Sequence, residues 1–169
     1  RPLHLALLGT RAARWTSSLA PPQNLSRSAE EEAAAMLARA EAACGAALVA
    51  GACGLLCAAR DGLSVAELQH ALSCDDGIVA SLVAAAPRPP PLARVPPAAL
   101  RLLLTVEIAP LLRQSDAAAH GGAPLLRWRT SLGRRVATQR HCAPGAAAAR
   151  CHRALAQFFG GARPPAPPP

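Results

Sequence analysis

The chain of 169 residues contains no lysine and no tyrosine, and only two tryptophans and two phenylalanines. A nucleotide-binding P-loop needs a lysine that reaches the β- and γ-phosphates, so that motif is excluded from these residues. Aromatic and β-branched residues, which favour strands, are scarce, whereas alanine and leucine, which favour helices, are abundant. The composition therefore predicts a mainly helical core built from small and medium apolar side chains.

Metal-binding spacings are also missing, although the chain has six cysteines. No two of them form a C-x-x-C pair, which structural zinc sites commonly use. Cys53 and Cys57 are four residues apart on one helix face and are typical of buried core residues. A metal site would need the neighbouring His and Cys residues at 141–142 and 151–152 to come together, which is the less favoured alternative.

Recognisable catalytic patterns are absent as well. The adjacent Asp75 and Asp76 are typical of a helix start, whereas acid–base catalysis needs two carboxylates that face one cleft. His141 and Cys142 are neighbours in sequence, which does not make them face each other as a nucleophile and its base. We therefore predict that this chain is not an enzyme on its own.

No apolar stretch is long enough to cross a bilayer. The longest, residues 44–59, is short and rich in alanine and glycine. The chain has no charged-then-apolar leader, and free cysteines are typical of the cytosol. It begins at Arg1, as a segment of a longer protein does. We therefore expect a cytoplasmic location and no membrane contact.

Capping patterns and apolar periodicity predict helices in the first part of the chain. A helix is expected over residues 2–15, with apolar residues on one stripe. Ser28 opens a capping-box pattern, and the helix that follows should end at Gly45. The nearly all-apolar helix at 46–59 should be buried on most sides.

The remaining residues predict a winged-helix arrangement. A second capping box at Ser64 and the pair Asp75-Asp76 begin two helices, and a third follows the proline-rich loop at 87–97. Two short strands and two more helices come next. We predict a mainly α fold, a helical bundle followed by a winged-helix-like domain with a small two-stranded wing. The expected strands are 109–114 and 124–129, the wing is 115–123, and the domains are 1–60 (helical lid), 61–161 (winged helix) and 162–169 (Pro-rich linker).

Positive charge is concentrated in the last part of the chain. Up to Glu107 there are nine arginines and nine acids, and after it nine arginines and only Asp116. Such a basic end can hold an acidic surface or nucleic acid, with affinity that depends on salt, and the alternative is a solvated face balanced by other parts of a longer chain. A basic winged-helix module that binds nucleic acid is therefore the alternative function. Its phosphate contacts would be Arg127, Arg129, Arg134, Arg135 and Arg140.

Four segments resemble, in the same order, a region of the NACHT-type signalling ATPases. Residues 2–15 resemble the "P-L-x-L … R-W" helix that follows the nucleotide-binding core of that family. Residues 55–68 resemble its "L-L-A-A-x-x-G-L-S-E-x-E-L" segment, residues 125–128 a wing strand and residues 152–159 the closing "H-x-x-L-A-x-Y-F" helix. The chain resembles the NACHT and WD-repeat proteins most, together with nephrocystin-3-like relatives.

The resemblance implies a helical lid and winged helix that close over a nucleotide held by an upstream domain. ATP or ADP with Mg²⁺ would then be bound by the longer protein, and this fragment alone would bind no cofactor. Pro2 resembles the proline of a G-x-P motif that packs against adenine, although a plain helix-start proline is the alternative. Relatives often have a histidine after the second wing strand, and that position holds Arg129 here, which can pair with phosphate. The implied partners are the upstream nucleotide-binding domain, downstream repeats and other proteins.

Overall fold

Helices dominate the computed structural model, which describes residues 2–13, 26–85, 94–115 and 123–161. The mainly α prediction is thereby confirmed. The described residues contain the helices α1 Pro2–Ala12, α2 Ala29–Cys44, α3 Ala46–Ala58, α4 Val65–Ser73, α5 Asp76–Ala85, α6 Pro97–Leu102, α7 Ser131–His141 and α8 Ala146–Phe159. They also contain the strands β1 Leu63–Ser64, β2 Leu112–Gln114 and β3 Leu125–Trp128, a π-helical turn at Leu103–Glu107 and a 3₁₀ turn at Ala109–Leu111.

The two predicted capping boxes begin α2 and α4, but only the second is complete. The Ser64 hydroxyl accepts from the Glu67 N–H at 3.2 Å, and the Glu67 carboxylate accepts from the Ser64 N–H at 2.7 Å. At α2 the Ser28 hydroxyl accepts from the Glu31 N–H at 3.1 Å. The Glu31 carboxylate reaches one residue further back, to the Arg27 N–H at 2.6 Å. Both helices therefore start at the predicted residue, because their free N–H groups are satisfied locally.

Helix α3 lies at the centre of the described residues and contacts α2, α4, α5, α7 and α8. Eight of its residues are buried, in agreement with the expected all-round burial. Two glycines let its neighbours approach closely. A Cβ atom at Gly54 would lie 2.6 Å from the Cys151 Sγ of α8, and one at Gly51 would lie 2.5 Å from the Ile78 Cδ1 of α5.

The strands form one small antiparallel sheet in the order β1-β3-β2. Leu63 of β1 is opposite Leu126, and Leu112 of β2 is opposite Trp128. The two expected wing strands are present, but β2 is shorter than predicted because Ala109–Leu111 forms a 3₁₀ turn. Strand β1 was not predicted, since a two-residue strand that doubles as a helix cap has no periodicity of its own. The tip of the expected wing, residues 116–122, lies outside the described residues.

Several apolar side chains on α4 and α5 are only partly buried. Val65 on α4 is 41% exposed, and in α5 only Ile78 is buried, with Val79 and Leu82 half-buried. One buried core nevertheless runs from Leu7 in α1 to Cys151 in α8, on both sides of the predicted boundary at residue 60. The domain division stays a prediction. Within the described residues, each helix is too short or too polar to reach across a bilayer.

Candidate functional site

Arg129 lies directly after β3 and is fixed to the 3₁₀ turn and strand before the wing. Its backbone N–H donates to the Leu111 carbonyl at 2.8 Å, and its Nε donates to the Leu112 carbonyl at 3.1 Å. Thr130 follows as the N-cap of α7, and its hydroxyl accepts from the Gly133 N–H at 3.1 Å. The guanidinium is therefore held at its Nε edge, while the side chain remains exposed.

A cavity of about 340 Å³ lies between Arg129 and α1. Leu3, Ala6, Leu7 and Thr10 line it from α1, at the spacing of one helix face. Ala109 and Pro110 of the 3₁₀ turn line it as well. Pro2 is exposed at the start of α1, next to the lining residue Leu3. The structure thus brings Arg129 to the helix that Pro2 begins, and the roles of both residues stay predictions.

A buried carboxylate holds α1 in place. The Glu32 side chain on α2 is 0% exposed and accepts from the Arg11 guanidinium of α1 at 3.1 Å and from Arg39 at 3.3 Å. The Ser26 hydroxyl donates to the same carboxylate at 2.6 Å. The His4 Nε2 atom lies 2.9 Å from the Ser26 carbonyl oxygen. We call Arg11, Ser26, Glu32 and Arg39 the Glu32 cluster.

The lining chemistry suits one part of a nucleotide. Apolar side chains can pack against an aromatic base, and a guanidinium can pair with phosphate oxygens. The lining contains no carboxylate or other anionic side chain that Mg²⁺ would prefer. Across the described residues, His, Cys, Asp and Glu form no cluster that could hold a metal ion. The residues present therefore fit a base and a phosphate, and they do not fit the metal that accompanies them.

Most arginines of the nucleic-acid alternative bind other parts of this chain. Arg140 donates to both Glu41 carboxylate oxygens, at 2.6 and 2.7 Å, and Arg135 donates to Glu30 at 3.1 Å. Of the two helices that follow α4, α5 has no basic residue and begins with an acid, Asp76, whereas α6 carries Arg101 in its last turn. Nucleic-acid binding stays a prediction, and these contacts give it little support.

The buried cysteines do not form a reactive site. Burial raises the pKa of the Cys151 thiol to about 11 and also raises the pKa of Cys57. Burial lowers the pKa of His141, whose Nε2 lies 3.3 Å from a Glu41 oxygen. A catalytic thiol needs a lowered pKa, so these residues are better described as core and packing residues.

Sequence reasoning identified Arg129 but missed the rest of the cavity wall. No sequence pattern identifies Ala6 and Thr10 as lining residues, because small residues at helical spacing are common. Ala109 and Pro110 were expected in a strand, and their turn only becomes evident in three dimensions.

The comparison with known families matches the helical part of the chain. The NWD1-like, winged helix-turn-helix domain family matches residues 20–108, which is more than half of the chain and includes α2 to α6. No curated protein and no solved structure matches significantly. The described helix-turn-helix and three-stranded antiparallel sheet agree with that family's winged-helix fold. The chain is therefore a winged-helix module and belongs to the NWD1-like winged helix-turn-helix domain family.

Proposed function

We propose that this chain is the non-catalytic regulatory module of a nucleotide-switched NACHT/WD-repeat-type scaffold. Its helical lid and winged helix close over a nucleotide that an upstream domain holds, and they relay the state of that nucleotide. ATP or ADP with Mg²⁺ is bound by that upstream domain, in the cytoplasm. Downstream repeats and protein partners receive the signal.

One observation carries the proposal: Arg129 and one face of α1 line the same cavity. In chain order they are separated by most of the chain. The resemblance implied adenine packing at Pro2, and it placed Arg129, which can pair with phosphate, where relatives have a histidine. The membership of the winged helix-turn-helix family supports the same assignment.

The contacts of Arg129 suit a phosphate sensor. Two hydrogen bonds to backbone carbonyls fix its position before any ligand binds, so little side-chain entropy is lost on pairing. A ligand shifts a conformational equilibrium only through its different affinity for the two states. Arg129 supplies that difference, because its contact with phosphate exists only when the module is closed.

Nucleotide release from the longer protein that carries this chain tests the proposal. We expect Arg129→Gln to release a fluorescent ADP analogue about tenfold faster, the change expected for one charge-assisted hydrogen bond. Arg153→Gln is the matched control, because it removes the same charge from an exposed position on α8. Ala6→Trp, which fills the cavity from α1, should also accelerate release. The proposal is overturned if the longer protein binds no nucleotide, or if Arg129→Gln and Arg153→Gln release it equally fast.

A further inference from the structure

Four arginines surround a second cleft, which shares no lining residue with the Arg129 cavity. Its volume is about 200 Å³. The other lining residues are Leu56, Ala59, Gly62 and Trp128. We call this feature the arginine cleft; its arginines are Arg60 after α3, Arg113 on β2, Arg127 on β3 and Arg134 on α7.

The sheet register places two of these charges directly opposite each other. Arg113 and Arg127 are paired residues of the antiparallel strands β2 and β3. Like charges at such paired positions destabilise a sheet unless an anion lies between them. Among the residues that the structure describes, the Asp61 carboxylate lies 4.0 Å from the Arg127 guanidinium and is 77% exposed. This exposed carboxylate pairs with one of the four guanidinium groups.

Two of the arginines are oriented by the backbone. The Arg127 Nε donates to the Asp61 carbonyl at 2.6 Å, and an Arg134 NH2 group donates to the Cys57 carbonyl at 2.9 Å. Both carbonyls lie at or just beyond the C-terminal end of α3, where they have no partner within the helix. Each of these two guanidinium groups donates one of its N–H groups to a carbonyl, and its other N–H groups can donate to a ligand.

The other two arginines of the cleft, Arg60 and Arg113, are not oriented by the backbone. The side chains of Arg60 and Arg113 are exposed and make no hydrogen bond or ion pair with the part of the chain that the structure describes. The cleft thus combines two preoriented guanidinium groups with two that can close on an anion. Arginine suits phosphate in particular, because its planar fork can donate two parallel hydrogen bonds to phosphate oxygens.

The size of the cleft limits the ligand. Pockets for drug-sized molecules generally exceed about 300 Å³, so this cleft is smaller than a whole nucleotide needs. It is large enough for a phosphoryl group or a pyrophosphate. A phosphate monoester carries nearly two negative charges at neutral pH, which suits a group of four cations.

We propose that the arginine cleft binds a phosphate monoester or pyrophosphate group. Two sources can supply this chemistry, a free polyphosphate or a phosphorylated protein segment. Binding removes the repulsion between Arg113 and Arg127, so the ligand also stabilises the sheet. The proposal does not depend on nucleotide sensing at Arg129, because the two sites have separate linings.

Titration calorimetry and thermal unfolding of the 169-residue chain test the proposal. The probes are inorganic pyrophosphate, a phosphoserine peptide, the same peptide without phosphate, and duplex DNA. We expect pyrophosphate, the phosphoserine peptide, or both to bind and raise the Tm. The double variant Arg60→Gln/Arg113→Gln should weaken that binding by at least about tenfold, because each arginine lost removes charge-assisted hydrogen bonds.

The matched control is Arg101→Gln/Arg153→Gln, which removes the same charge from exposed positions on α6 and α8. It should bind within about twofold of the unchanged chain, since exposed charges outside the cleft are screened by salt. Tighter binding of pyrophosphate identifies a free polyphosphate as the source, and tighter binding of the phosphopeptide identifies a protein. The proposal is overturned if neither probe binds, if the control loses as much affinity as the cleft variant, or if DNA binds more tightly through the same arginines.

Discussion

The Arg129 cavity and the arginine cleft both lie beside the small sheet and are built in opposite ways. The cavity is mostly apolar, and its α1 wall is attached through the buried Glu32 carboxylate. The cleft is strongly basic, and its arginines are oriented by main-chain carbonyls. In each case the groups that hold the site differ in kind from the groups that line it. The two linings share no residue, which lets each site be tested separately.

The largest effect should come from Gly62, which shapes the cleft. Its φ of 87° suits glycine, and a Cβ atom there would collide with the Leu126 carbonyl oxygen and lie 2.7 Å from the Arg127 Cγ. We expect Gly62→Ala to lower the free energy of unfolding by about 3 kcal/mol, measured by urea denaturation. Gly161→Ala is the control, because its φ of 78° is close to that of Gly62 but its Cβ would meet nothing within 4 Å. Its cost should be only about 1 kcal/mol, and equal losses would contradict the steric explanation.

The next largest effect should come from the Glu32 cluster, which attaches the cavity wall. Glu32→Gln keeps the shape of a fully buried side chain but removes the charge between Arg11 and Arg39. We expect a loss of about 2 kcal/mol, since both arginines reach water and are only partly stranded. Hydrogen exchange should also increase in α1. Glu30→Gln on the same helix changes an exposed pair with Arg135 and should cost no more than about 0.5 kcal/mol. A similar loss in both variants would show that burial of Glu32 is unimportant.

A smaller, pH-dependent effect should come from His141, the last residue of α7, which lies beside Glu41 of α2. Its side chain is 5% exposed, and burial lowers its pKa from the ordinary value of 6.5, although the nearby Glu41 opposes this. The folded state therefore binds a proton less readily than the unfolded state. The free energy of unfolding should fall as the pH drops below about 6.5.

Glu41 adds a second step at lower pH. A hydrogen bond from Arg140 lowers its pKa from 4.5, so its stabilisation is lost as the pH falls below that value. Urea denaturation measures the free energy of unfolding, which should depend less on pH between pH 7 and 5 in His141→Asn than in the unchanged chain. His152→Asn changes an exposed histidine and should behave like the unchanged chain. If the free energy of unfolding of His141→Asn changed with pH as much as that of the unchanged chain, His141 would not cause the loss of stability.

The smallest effect should be a gain in stability at the cleft. Without phosphate, Arg113→Gln removes the repulsion across β2 and β3 and should raise the free energy of unfolding by about 0.5 kcal/mol. Thermal unfolding in phosphate-free buffer measures it. A loss of stability would mean that Arg113 makes a favourable contact, and the repulsion argument would then fail.

Sequence reasoning was most successful where the physics is local. Ser28 and Ser64 each cap a helix, as predicted, because a side-chain oxygen satisfies a free N–H within three residues. It was less successful at Ala109–Leu111, where a strand was expected and a 3₁₀ turn formed. Pro110 has no N–H to give to a ladder, and the turn lines the same cavity as α1.

The sequence alone determined the helical class, the helix starts, the absence of P-loop chemistry and the position of Arg129 beside the wing. Tertiary structure decided which distant residues meet. Arg129 reaches α1 because β2 and β3 pair and the 3₁₀ turn packs beside them. Arg60 and Arg134 reach the two strands because α3 is buried beneath α7 and the sheet. These tertiary arrangements depend on packing between residues far apart in the chain, and no local sequence pattern encodes them.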